Sequence, residues 1–234
     1  MAVQQRGRGR PRSGAQIRTG ENTREEILDA AAELFTTQGF SPTTTRQIAD
    51  AVGVRQNALY NHFASKDAIL GALLGALVRP SLRTATMLDA VEARDDFESA
   101  TKLYALAYFD GNVLTTWQWN LGVLFALPET RLPVFEEART ARELLRDIYM
   151  RTTADLTIRM SAPPVGDQAF RLVESISAMR SDNELDEGVP HSVARSCLQI
   201  AGWAENHAEA RRNAACLLHD LGLMPPRLVL PSAS

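Results

Sequence analysis

The sequence predicts an all-α fold, with a three-helix N-terminal head containing a helix-turn-helix and a larger C-terminal helical body. Three observations predict it. Apolar residues recur at helical spacing from Thr23 to Leu77, a glycine (Gly53) separates two short apolar segments within that stretch, and beyond Pro80 no alternating Val/Ile/Thr pattern interrupts the helical period.

The first helix opens at a capping box, Thr23 with Glu26, and carries Ile27, Leu28, Ala31, Leu34 and Phe35 as its apolar stripe until Gly39 supplies a left-handed stop. Ser41-Pro42 makes the turn. Thr44 and Gln47 form a second box ahead of Ile48, Ala49 and Val52, and after Gly53 the apolar pattern resumes through Val54, Ala58, Leu59 and Phe63. Ser65 caps a fourth helix with Asp67 in its first turn and Ile69, Leu70, Leu73, Leu74 and Leu77 buried; Pro80 marks its end. Further helices are expected over 82–92, 97–109, 113–127, 133–160, 167–180, 192–204 and 206–221, with breaks at Pro163-Pro164 and over 181–190. The organisation is a basic arm (1–20), a head (21–78), a body (79–224) and a tail (225–234).

With 234 residues and 45% hydrophobic content, the chain is large enough to bury a core. Its formal net charge is −3, yet Arg6, Arg8, Arg10, Arg12 and Arg18 fall in the first twenty residues with no acid among them, so the positive field is local to that end. That segment holds almost nothing apolar and is expected to be a disordered arm. The two cysteines, Cys197 and Cys216, have neither C-x-x-C spacing nor a histidine cluster beside them, so no disulfide framework, metal site or cofactor is expected. No apolar run approaches the roughly 20 residues that span a bilayer, and no apolar segment follows the basic N-terminus as in a signal peptide. A cytoplasmic protein without a membrane partner is expected.

No Gly-rich phosphate loop, G-x-S-x-G elbow or His pair at metal spacing is present, and His191, His207 and His219 are scattered, so no catalytic residues are assigned and the chain is not expected to be an enzyme. A helix presented after a tight turn fits the major groove and reaches base edges with its early outward residues. Here these are Arg55, Gln56 and Asn57, with Asn61 one turn further on. Arg suits guanine, and Gln and Asn suit adenine, each good pair discriminating by about 1–3 kcal/mol.

The segment TTTRQIADAVGVRQNALYNHFASKDAIL, residues 43–70, together with AAELFTTQGF, residues 31–40, resembles the operator-binding head of the tetracycline-repressor (TetR) family. The resemblance implies that Thr44, Thr45, Tyr60, His62 and Lys66 touch the DNA backbone; packing beside the head's core is the other reading of Tyr60 and His62. Two positions depart from the family's pattern. Arg55 stands where the family often has an N-capping Ser, a loss of about 0.5–2 kcal/mol unless another group replaces it. Asn57 stands where Gly is frequent. In the arm, Arg8-Gly9-Arg10-Pro11 resembles an AT-hook core, whose two arginines, Arg8 and Arg10, enter a narrow minor groove; a solvated basic tail is the alternative.

For the body, the resemblance implies a homodimer formed by a helix pair, here 167–180 and 192–204, with Phe170, Val173, Ile176, Val193, Cys197 and Ile200 at the interface or in the core. It also implies an effector pocket between helices. Tyr104, Tyr108, Phe109, Trp117, Trp119 and Phe125 are its aromatic candidates, although each also suits a helical core. Arg139, Arg142 and Arg146 could face a ligand, or pair with Glu136, Glu143 and Asp147 along a solvated face. The function implied is a sequence-specific transcriptional regulator, a repressor released from a palindromic operator by a small-molecule effector. An architectural DNA binder would use the same arm and head but leave some two-thirds of the chain without purpose.

Overall fold

The computed structural model describes residues 22–204 and 206–224, and within them holds ten α-helices, three short 3-10 turns and no strand. The chain divides into two compact units between Leu70 and Gly71. Arg8, Arg10 and the tail 225–234 lie outside the described residues.

In the first unit, α1 (Thr23–Thr37) is capped by Asn22, whose side chain accepts from the Glu25 N–H at 3.1 Å and donates to the Glu25 carboxylate at 3.0 Å. The expected Thr23/Glu26 box is thus displaced by one residue, because the preceding Asn is as good a cap and already in extended geometry. Ile27, Leu28, Ala31 and Phe35 are buried, and Phe35 meets Phe40 edge-on at 5.0 Å. Gly39 takes the left-handed conformation expected of it (φ +92°). In α2 (Thr45–Val52) both halves of the Thr44/Gln47 box form, and Gly53 at φ +74° turns the chain into α3 (Gln56–Tyr60). Ser65 caps α4 (Lys66–Asp89), accepting from the Ala68 N–H at 3.0 Å.

Pro80 does not end α4, and the helix expected over 82–92 is its continuation. Pro80 lies on the exposed side, where the carbonyl it leaves unbonded can reach water, while Leu77, Val78, Ser81, Thr84, Ala85 and Leu88 are buried on the opposite face. Packing outweighs the local cost. By length and composition α4 is also apolar enough to cross a bilayer, but 56% of its apolar window is buried inside the protein, as in a core helix.

The second unit is built around α5 (Asp96–Thr116), against which α6 (Glu136–Arg159), α7 (Gln168–Glu174), α8 (Ile176–Ser181), α9 (Val189–Ile200) and α10 (His207–Asp220) pack. Gly111 permits this closeness: a Cβ there would lie 3.0 Å from the Ile176 side chain and 3.3 Å from Pro190. The helix expected over 113–127 is instead the end of α5 followed by 3-10 turns at Leu121–Ala126, Pro128–Arg131 and Pro133–Phe135. Arg180 stops α5 by donating to the Leu114 carbonyl at 3.0 Å, the Gln118 carbonyl at 2.8 Å and the Trp117 carbonyl, which satisfies acceptors that a longer helix would have used. The helix expected over 167–180 is broken at Ser175, whose hydroxyl bonds back to the Leu172 carbonyl at 2.7 Å.

Candidate functional site

Two places in the molecule bear on function, one in each unit. In the first, α2 and α3 present a polar surface. Gln56 Nε2 donates to Thr45 Oγ1 at 3.0 Å, and Thr45 Oγ1 and Tyr60 Oη lie 3.2 Å apart, so one threonine ties the start of α2 to both ends of α3. Tyr60 is 46% exposed, which removes the reading of it as core. Arg55, Asn57, Asn61 and His62 are exposed and make no side-chain hydrogen bond to another described residue. His62 is likewise not packed inside. Arg55 is the N-cap residue of α3 with no side-chain cap bond, so the capping group is indeed missing; Leu59, buried, anchors this short helix from below. Thr44 is committed to Gln47 as cap, although its hydroxyl faces solvent.

Lys66 is a correction. Its ammonium donates to the carbonyls of Phe40 at 2.7 Å, Ser41 at 3.2 Å and Thr43 at 2.8 Å, and sits 4.2 Å from the centre of the Phe40 ring. All three of its N–H groups are used, so it braces the turn before α2 and has none left for phosphate.

In the second unit a cavity of about 530 Å³ opens between α4, α5, α6, α7, α8 and the Leu121–Ala126 turn. Leu77, Val78, Leu114, Val123 and Phe125 give it apolar walls, and a methyl group added at Gly122 would collide with Ser177, which packs directly against it in the lining. Asp110 is buried there and accepts from Tyr149 Oη at 3.0 Å. Burial pushes its carboxyl up to about 6, against the opposing pull of the Ser81 and Tyr149 hydroxyls. Ser81 is 1% exposed and lines the cavity, and its hydroxyl makes no well-aligned hydrogen bond. Arg142 grips Glu174 with two parallel bonds of 2.7 and 2.6 Å and lies 5.1 Å from the Phe170 ring centre.

Of the expected effector residues, Arg142 and Phe125 line this cavity. Tyr104 and Tyr108 instead pack on His191, Tyr104 Oη 2.9 Å from its Nδ1 and the Tyr108 ring stacked at 4.2 Å. Burial holds His191 down at about 4 and lifts Tyr104 to about 12, so both are neutral near pH 7. Trp117 caps α5, and neither it nor Trp119 lines the cavity. Arg139 is spent on the carbonyls of Thr130 at 2.8 Å and Leu132 at 2.7 Å. Of the set placed at the interface or in the core, Phe170, Val173, Ile176, Val193 and Cys197 take the core alternative: they are buried within the protomer, at most 6% exposed, so their assignment to the interface is corrected. Ile200 alone among them is half-buried. Periodicity identifies the buried face of a helix but not the element that buries it.

Asp110, Ser81 and Glu174 were not foreseen. A lone acid inside the apolar run YALAYFDGNV was the available signal for Asp110; Ser81, beside a presumed helix end, carried none.

Residues 27–73 match the family model for bacterial regulatory proteins of the tetR family. The chain is 41% identical to AmtR of Mycobacterium smegmatis, whose crystal structure superposes with a TM-score of 0.81 over 89% of this chain and 99% of that one. It is 47% identical over 51 residues to the HTH-type transcriptional repressor KstR2 of Rhodococcus jostii, a match covering 22% of this chain and 25% of the relative; the chain spans about a quarter of the length of the curated relatives it matches first. The fold recurs in FadR of Bacillus subtilis solved with stearoyl-CoA, at 16% identity and a TM-score of 0.55, over 76% of this chain and 98% of that one.

Proposed function

Because the chain belongs to the TetR family of bacterial transcriptional regulators, we propose that it is a sequence-specific DNA-binding repressor, acting as a homodimer and released by a small effector bound in the second unit. The observation that carries the DNA reading is the surface of α3. Thr45, Gln56 and Tyr60 are fixed to one another, while Arg55, Asn57, Asn61 and His62 stand free beside them. Fixed polar groups position the helix against phosphate and sugar, and free Arg and Asn side chains at its outer edge read bases. A relative 47% identical over 51 residues is named a transcriptional repressor, which supports the same reading.

One head covers a half-site, so a dimer reading a palindrome with half-sites about 10 base pairs apart follows from the geometry of the motif. Its contact surface lies on outward residues of the last helices, not on the buried set named above. For the effector, the cavity around Asp110 has the size and mixed lining of a small-molecule site, and a neighbour of the same fold holds an acyl-CoA. Release requires the ligand to favour the state with lower DNA affinity.

Selection of duplexes from a random pool by the full chain tests the proposal. A palindromic consensus is expected; recovery of DNA without any consensus would rule it out.

A further inference from the structure

We propose that the cavity in the second unit takes a small apolar amine, its ammonium seated between Asp110 and Ser81. The inference rests on the reading of this cavity as the effector site and adds the chemical class of the effector.

The charges around the cavity decide against an anion. Its lining carries three carboxylates, Asp110, Glu174 and Asp182, and a single cation, Arg142. Glu174 already occupies that guanidinium in a bidentate pair, so an acidic ligand would have to break two short bonds to reach it and would then lie in the same cavity as Asp110. Asp110 is the opposite kind of group. It is buried, the cation of the cavity lining, Arg142, is committed to Glu174, and its hydrogen-bonding neighbours are the neutral hydroxyls of Tyr149, at 3.0 Å, and of Ser81, less well aligned. Burial makes it costly to keep ionised, and a cation brought alongside relieves that cost.

Ser81 is the second observation. Its hydroxyl is buried and lines the same cavity beside the Asp110 carboxylate, which it pulls downward, yet it makes no well-aligned hydrogen bond there, so its oxygen stays open to a donor. An ammonium has three N–H donors, one for the Asp110 carboxylate and one for Ser81 Oγ. The apolar remainder of the ligand then lies against Leu77, Val78, Leu114 and Phe125. A volume of about 530 Å³ suits a molecule with a ring or short chain.

The test compares three probes with one carbon skeleton, 4-phenylbutylamine, 4-phenylbutanol and 4-phenylbutyrate, by calorimetry on the full chain at pH 7.5. The amine should bind at least tenfold more tightly than the alcohol, with the carboxylate weakest. Asp110→Asn should remove at least tenfold of the amine's affinity and leave the alcohol within threefold; Ser81→Ala, a smaller change, should weaken the amine selectively by several-fold. Equal or tighter binding of the carboxylate, or full amine selectivity in both variants, would overturn the assignment. DNA affinity measured with the same probes separates the two claims. If the carboxylate loosens DNA and the amine does not, the chemical class is wrong while regulation stands; if the amine binds as described but leaves DNA affinity unchanged, the class stands and regulation through this cavity fails.

Discussion

The ammonium of Lys66 lies 2.7 Å from the carbonyl oxygen of Phe40, at the start of α4. A cation at a helix N-terminus opposes the helix dipole, yet here it satisfies three carbonyls of the turn that leads into α2. Lys66→Met should therefore lower stability by about 1–2 kcal/mol, as expected for charged hydrogen bonds that water partly replaces. DNA affinity should fall with it, but the slope of affinity against salt should not change. A phosphate contact would reduce that slope by about one, so a salt titration of the variant separates bracing from contact.

The surface of α3 invites the complementary experiment. Asn57 is exposed and unbonded, whereas Gln56 is tied to Thr45. Asn57→Ala should cost about 1–3 kcal/mol of discrimination at one base position of each half-site while leaving thermal stability unchanged. Replacing Gln56 and Asn57 together should abolish site preference, because the tether and the reader are then both lost. Competition binding with single-base operator variants measures this; a double variant that keeps the same preference would remove α3 from the groove.

These two helices were legible in the sequence because their determinants are local. The Thr44/Gln47 box, the left-handed Gly53 and the missing cap at Arg55 all act within a few residues of where they are read. At Pro80 a local rule meets a long-range one and loses: the buried face of α4 holds the helix through it. Tyr104 and Tyr108 form an aromatic pair in sequence, but His191, remote in the chain, decides that they face α9. The role of Lys66 is not legible locally, because its three acceptors sit more than twenty residues earlier, across a fold that only packing creates.

Arg180 shows how one side chain sets the end of a helix on another element. Its fork takes the carbonyls of Leu114, Trp117 and Gln118, which close α5 and start the turns beside the cavity. Arg180→Met removes every donor while keeping much of the apolar stem, and should destabilise the chain by about 2–3 kcal/mol through the unsatisfied acceptors. Arg180→Lys should recover only part of this, since a single ammonium cannot match a planar fork to acceptors spread over five residues. Urea denaturation of the three proteins checks the ranking.

Asp110 makes stability depend on pH with a sign opposite to that of most carboxylates. Its carboxyl titrates at about 6 in the folded chain against 3.8 when unconstrained, burial being the main cause. Between those values the folded state holds more protons than the unfolded one, so stability falls as pH rises from 4 to 6 and stays lowered above it. A shift of about two units corresponds to about 3 kcal/mol. The groups that face Asp110 do not reverse this: Tyr149 and Cys197 are pushed upward and stay neutral, Ser81 is uncharged, and Arg142 is paired with Glu174. His191, held at about 4, works in the other direction by resisting protonation as pH falls, and so does Glu98, held at about 2 by Arg94. Both are common to the wild type and an Asp110 variant and cancel in their difference. Asp110→Asn, whose amide oxygen can still accept from Tyr149, should accordingly be more stable than the wild type above pH 6 by up to about 3 kcal/mol. The two should converge toward pH 4, and denaturant midpoints taken across that range would expose a gap that stayed constant, which would place the pH dependence on some other group.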